Sequence, residues 1–154
     1  MPMEQNPYEG WDDEPTQNAI RLATKRVLVA EDDPMLRALI AERLRSVGCD
    51  VLEAANGQRA VDILTASVNE PVKSLRVELA IMDVRMPGLS GLEVVYLSRL
   101  WRWPMAMLLV TAYPDVELVD ECERLGVPLL QKPFSLASIN RAALAVLRGD
   151  LEVS

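Results

Sequence analysis

Four short apolar runs in this chain each end on polar groups, and that repeated ending limits the fold more than any other feature. Val27-Leu28-Val29-Ala30 runs into Glu31-Asp32-Asp33, and Leu79-Ala80-Ile81-Met82 closes on Asp83. Met107-Leu108-Leu109-Val110 runs into Thr111-Ala112, and Leu129-Leu130-Gln131 into Lys132-Pro133-Phe134. Parallel neighbouring strands bring such endings into one crevice. Three acids, a hydroxyl and an amine gathered there suit a divalent metal and a phosphoryl group.

Between the apolar runs lie stretches of helical period, the pattern of a parallel sheet covered by helices on both faces. Asp33 with Pro34 is a helix start, followed by a stripe of Met35, Leu36, Leu39, Ile40 and Leu44 that Gly48 ends. Asp33 therefore reads as a cap rather than as a ligand. A second strand, Val51 to Ala54, leads through Asn56-Gly57 into a helix bearing Ala60, Ile63 and Leu64. Ser67 to Glu78 is too long for an ordinary connection, so an extended loop or a lengthened helix is expected. Ser90 and Glu93 have capping-box spacing for a third helix running to about Leu100. Leu118, Val119, Cys122 and Leu125 mark a fourth helix ending at Gly126, and Ser135 caps a fifth with Leu136, Ile139, Ala143, Val146 and Leu147 inward.

The site chemistry follows from residue types. Glu31, Asp32 and Asp83 would repel one another without a cation, and Mg²⁺ takes oxygen ligands from a few carboxylates and waters. Transfer of a phosphoryl group to a carboxylate needs an ionised oxygen as nucleophile and positive charge on the equatorial oxygens. Asp83 suits the first role and Lys132 the second. Thr111 offers a hydroxyl that could follow a phosphoryl oxygen and move the loop behind it.

Glu31-Asp32, Asp83 with Met86-Pro87-Gly88, Thr111-Ala112 and Lys132-Pro133-Phe134, in that order, resemble the receiver domain of two-component response regulators over roughly Arg26 to Gly149. Four ordered motifs are far more specific than one short pattern. The resemblance implies a flavodoxin-like, doubly wound α/β fold with five parallel strands in the order 2-1-3-4-5. It also implies Asp83 as phosphoacceptor and Asp32 as a direct Mg²⁺ ligand. Glu31 would ligate mostly through water, and the backbone carbonyl of Arg85 would be a further ligand. Thr111 and Lys132 would bind the phosphoryl group, with a cis Lys132-Pro133 peptide aiming the lysine. The partners implied are a histidine kinase or histidine phosphotransfer protein, and the chain would not be a conventional enzyme. Receivers usually carry an aromatic where this chain has Leu129, so Tyr113 becomes a candidate substitute ring or shield. The resemblance puts Arg85 where the family tunes dephosphorylation, and its guanidinium could reach an acid across the site mouth.

Length and charge set the outer bounds. A chain of 154 residues, half of them hydrophobic, suffices for one buried domain, so a stand-alone receiver is expected. The expected layout is an acidic, disordered N-terminal tail over 1–25, a domain over 26–149 and a short tail over 150–154. The net charge of −7 opposes nucleic-acid backbones and favours a basic protein partner or a metal. Cys49 and Cys122 make no disulfide framework and read as core residues of a cytoplasmic protein. No signal peptide or stretch long enough to span a membrane is evident. Trp101-Arg102-Trp103 reads as a cover over the core, with an interface as the alternative. Three competing functions remain: a phosphate sink or relay intermediate, a phosphorylation-independent adaptor, and an aspartyl phosphatase. The phosphatase would want an acid two residues after Asp83, where Arg85 stands.

Overall fold

The computed structural model describes Leu22 and residues 24–149. Five parallel strands form one sheet: β1 (Arg26–Ala30), β2 (Asp50–Ala54), β3 (Leu79–Asp83), β4 (Ala106–Thr111) and β5 (Leu129–Gln131). Their order is β2-β1-β3-β4-β5, as the resemblance implies. Five helices alternate with them: α1 (Pro34–Ser46), α2 (Gly57–Val68), α3 (Gly91–Leu100), α4 (Val116–Leu125) and α5 (Leu136–Leu147).

Alternation along each strand sorts the core into two layers, because successive side chains leave opposite faces. Val27, Val29, Ile81, Leu108 and Val110 pack with Ile40 and Leu44 of α1 and Ile139 and Ala143 of α5. Leu28, Ala80, Met82 and Leu109 pack on the other face with Leu64 of α2, Val94 and Val95 of α3 and Cys122 of α4. All five residues of β3 are buried, as befits the central strand.

The helix ends are set by local chemistry. The Asp33 side chain accepts from the amides of Met35 and Leu36, Asn56 caps α2, and Ser90 with Glu93 forms a complete capping box. Gly126 ends α4 in the left-handed region at φ 66°, where a side chain would be strained. The connection after Val68 is a loop with one 3₁₀ turn, Lys73–Leu75, which settles the open reading of Ser67 to Glu78 in favour of a loop.

Two expectations need correction. Met35 is 77% exposed and Leu39 is 47% exposed, so they do not share the packed stripe of α1. The sheet takes the line Leu36, Ile40 and Leu44, and the parallel line of Met35 and Leu39, about 100° around the helix, faces solvent. Leu22, placed in the tail by the sequence, is fully buried in the layer of α1 and α5. Its carbonyl accepts from the Cys49 thiol at 3.2 Å, so packing extends upstream of Arg26. Met1 to Arg21, with Tyr8 and Trp11, and residues 150–154 lie outside the described residues. Cys49 and Cys122 are buried free thiols, as expected.

One glycine is required by close approach. A Cβ on Gly57 would sit 2.0 Å from the Leu89 carbonyl oxygen, in the loop that precedes α3. Overpacking typically costs about 1–3 kcal/mol, which exceeds the gain of about 1 kcal/mol from placing alanine in a helix. Gly57→Ala should therefore lower the urea midpoint, and a midpoint equal to or above wild type would show that the loop yields freely.

Candidate functional site

Strand register builds the site at the carboxyl edge of the sheet. Ala30 pairs with Met82, which sets Glu31 beside Asp83. Asp83 pairs with Val110 and Thr111 pairs with Gln131, so Thr111 and Lys132 follow on the next two strands. Glu31 and Asp83 are 1% and 6% exposed, Asp32 is open to solvent, and one oxygen from each lies within 4.8 Å of the others. Such a set of hard oxygen donors fits a divalent cation.

Lys132 bridges the two buried acids. Its Nζ lies 2.6 Å from Glu31 Oε1 and 3.0 Å from Asp83 Oδ2. The Lys132-Pro133 peptide is cis, and the Lys132 amide donates to the Thr111 carbonyl at 2.7 Å. The amide of Arg85 donates to Asp83 Oδ1 at 3.2 Å, and that of Asp33 to Glu31 Oε2 at 3.3 Å. Asp33 itself caps α1, as read from the sequence.

Burial pushes the Glu31 carboxyl up to about 7, reinforced by its hydrogen bond with Asp83 and opposed by Lys132. Burial alone would pull the Lys132 amine down, but its hydrogen bonds to Glu31 and Asp83 prevail and hold it above the usual lysine value. The arrangement therefore presents carboxylate oxygens, a fixed cation and a buried hydroxyl to one small space. Thr111 is fully buried, and its Oγ1 accepts from the Tyr113 amide at 3.2 Å.

The rim differs from the sequence expectation in one respect. The Arg85 guanidinium lies 5.1 Å from the centroid of the Tyr113 ring, in a cation-π contact, instead of reaching an acid across the mouth. Tyr113 is 65% exposed, and Leu129 is half-buried against the core layer of α2, α3 and α4. Trp103 packs on the same layer with its ring 5.3 Å from that of Trp101, so Trp103 is the core cover while Trp101 stays exposed.

Two contributors escaped the sequence reading. A Cβ on Gly91 would lie 2.5 Å from the Asp83 carbonyl oxygen, so this glycine lets α3 start against the strand that carries the central acid. Its place inside the Ser90–Glu93 capping box was the available signal. Leu36, Ala112, Pro133 and Phe134 form an apolar hollow of about 370 Å³ beside Lys132, and no local spacing links those four positions.

The family model for the response regulator receiver domain matches residues 27–144. This chain belongs to that family. The transcriptional regulatory protein PdtaR of Mycobacterium tuberculosis is 36% identical over 138 residues, covering 87% of this chain and 62% of its own length. Sporulation initiation phosphotransferase F of Bacillus subtilis is 26% identical over 122 residues, 79% of this chain and 92% of its own length. A cyclic di-GMP phosphodiesterase of Thermotoga maritima is 33% identical over 123 residues, but the chain spans only 31% of it. Among solved structures, the receiver domain of the response regulator NarL from M. tuberculosis superposes with a TM-score of 0.71 at 27% identity, over 82% of this chain and 98% of that one. Chemotaxis protein CheY4 of Vibrio cholerae gives 0.67 at 26% identity, over 80% and 99%. No helix among the described residues is long and apolar enough to cross a membrane.

The raised Glu31 value sets a pH dependence for the metal-free protein. An unfolded glutamate loses its proton near 4.5, whereas folded Glu31 keeps it to about 7, so between these values the native state binds more protons. Its contribution is full below about 4.5 and is lost as pH rises through about 7. The chain has no histidine to add a slope in this range. With chelator present, Glu31→Gln should flatten the fall in melting temperature between about pH 5 and 8 and exceed wild type at the upper end. A parallel fall in both proteins would refute the assignment.

Proposed function

We propose that this chain is a single-domain response regulator that accepts a phosphoryl group on Asp83 from a phosphohistidine and signals through altered protein–protein interaction. The observation that carries the reading is the placement of Asp83: nearly buried at the end of the central strand, 3.0 Å from Lys132 Nζ and beside Glu31 and Asp32. The donor would be a histidine kinase or histidine phosphotransfer protein of the cytoplasm.

In the step envisaged, an Asp83 carboxylate oxygen attacks phosphorus while the bond to the imidazole nitrogen breaks. The other ring nitrogen of the phosphohistidine carries a proton before transfer, so the electron pair of the breaking N–P bond leaves with a ring that is released as neutral imidazole. Lys132 already faces Asp83, so it can neutralise an equatorial phosphoryl oxygen by a small redirection of Nζ. Glu31, Asp32, Asp83 and the Arg85 carbonyl would hold Mg²⁺, which when bound supplies further positive charge and orientation. The Thr111 hydroxyl hydrogen can turn to a phosphoryl oxygen, and because Oγ1 also holds the Tyr113 amide, that turn bears on the start of α4.

The Arg85–Tyr113 pair stands at the rim, where it would restrict the approach of water to the acyl phosphate. Leu129 cannot alternate between a buried ring and an outward hydroxyl, so any switch would run through the Thr111–Leu118 segment. A phosphate sink or relay intermediate is the second reading. It is favoured by Leu129 and by the relative named a phosphotransferase, of which the chain spans 92%.

A small phosphodonor with Mg²⁺ should add one labile phosphoryl group to the wild type and none to Asp83→Asn, measured by intact mass. Full labelling of the variant would sink the assignment. Mg²⁺ should raise the melting temperature of the unphosphorylated protein, and Asp32→Ala should lose most of that rise; an undiminished rise would exclude Asp32 as a ligand.

For a switch, phosphorylation should move amide signals from Ala112 to Leu118 and from Leu129 to Phe134, and Thr111→Ala should remove most of the effect. Changes confined to residues around the acids and Lys132 would favour the sink.

A further inference from the structure

A second cavity opens beside the acids and runs away from them between α3 and α4. Its volume is about 790 Å³. Met86, Leu92 and Leu118 supply apolar lining, Tyr113 stands at the end near Asp32, and Tyr96 stands at the other. The far end is closed by a polar chain in which the Tyr96 hydroxyl donates to Glu121, which also pairs with Arg124. A tie from Arg99 to the Leu125 carbonyl, at 2.9 Å, fixes α4 against α3 beyond it. These contacts bridge α3 and α4 at the far end of the groove.

The charges on this groove are one-sided. Asp32, Asp115, Glu117 and Glu121 line it, and among the described lining residues Arg85 is the one cation, already laid over the Tyr113 ring. Asp115 caps the amide of Leu118 and Glu121 is held by Arg124 and Tyr96. Glu117, on the first turn of α4, has no such partner among the described residues and is the acid placed to meet an incoming cation.

We infer that this groove binds a basic amphipathic segment of a partner protein, which lays an apolar side chain on Leu92 and Leu118 and a Lys or Arg against Glu117. An apolar floor with a rim of opposite charge is the complement of such a segment. The other occupants fit worse. Nucleic acid and anionic lipid surfaces would meet four carboxylates, and a second copy of this chain would bring its own net charge of −7. The inference extends the signalling reading by giving the chemistry of a downstream partner. Binding is read on the unphosphorylated chain, so failure here and failure of Asp83 phosphorylation are seen separately.

The probe is a synthetic helical peptide of about 16 residues, with Leu on one face at helical spacing and Lys on the other, titrated into the isotope-labelled full chain at physiological salt. Amide shifts should concentrate on Leu92, Tyr96, Tyr113 and Leu118. Glu117→Lys should weaken binding about tenfold, while Glu42→Lys, the same charge change on the exposed side of α1, should alter it less than about twofold. Equal weakening by both variants, or shifts scattered over the acidic surface, would reduce the contact to nonspecific attraction and overturn the inference. Concentration-dependent self-association that broadens the same amides without peptide would assign the groove to a second copy and overturn it as well.

Discussion

The amine of Lys132 between the carboxylates of Glu31 and Asp83 is the interaction on which the site depends. Three acids at adjoining strand ends cannot all be ionised in a partly buried crevice without a cation. Lys132 supplies that cation from the end of the edge strand β5, with β3 and β4 lying between it and the strand that leads into Glu31, through contacts of 2.6 and 3.0 Å. The ion pairs are therefore also a tertiary restraint, since they tie the ends of β1, β3 and β5 into one cluster. Breaking one partner would leave buried charge uncompensated, which is the costly case for such pairs.

The same restraint is what a divalent cation or a phosphoryl group would exploit. Lys132 is held by charges that a bound metal would partly satisfy. Around it, the cis Lys132-Pro133 peptide, the bond from the Lys132 amide to the Thr111 carbonyl and the amide of Arg85 on Asp83 fix the oxygens and the amine in place. Preorganisation of this kind gives electrostatic stabilisation without reorganisation at the moment of transfer. Thr111 in turn holds the start of the following loop through the Tyr113 amide.

The rim shows how a receiver framework can be adapted without touching the buried acids. Arg85 and Tyr113 come from different loops and meet face to ring over the mouth. Leu129 fills a half-buried place against the core layer of α2, α3 and α4. On the other flank, the acidic groove between α3 and α4 and the apolar hollow beside Lys132 give the two sides of the mouth different chemistry.

Much of this was legible in the sequence because it rests on short-range rules. Strand-end polarity located Glu31, Asp32, Asp83, Thr111 and Lys132, and cap residues placed the starts of α1, α3 and α5. Periodicity failed where two apolar lines lay on one helix: it could not tell that Leu36, Ile40 and Leu44 pack while Met35 and Leu39 face solvent, because the choice belongs to the sheet. Composition likewise assigned Leu22 to a tail, although its partners, Cys49 among them, lie more than twenty positions downstream. The pairing of Arg85 with Tyr113, the close approaches that require Gly57 and Gly91, and the closure of the groove by Tyr96 and Glu121 all join residues distant along the chain. The sequence by itself determined which groups stand at the strand ends, since that follows from local pattern. Only the tertiary structure decided which of them touch, because contact depends on strand order and register, and those are set by packing of the whole sheet.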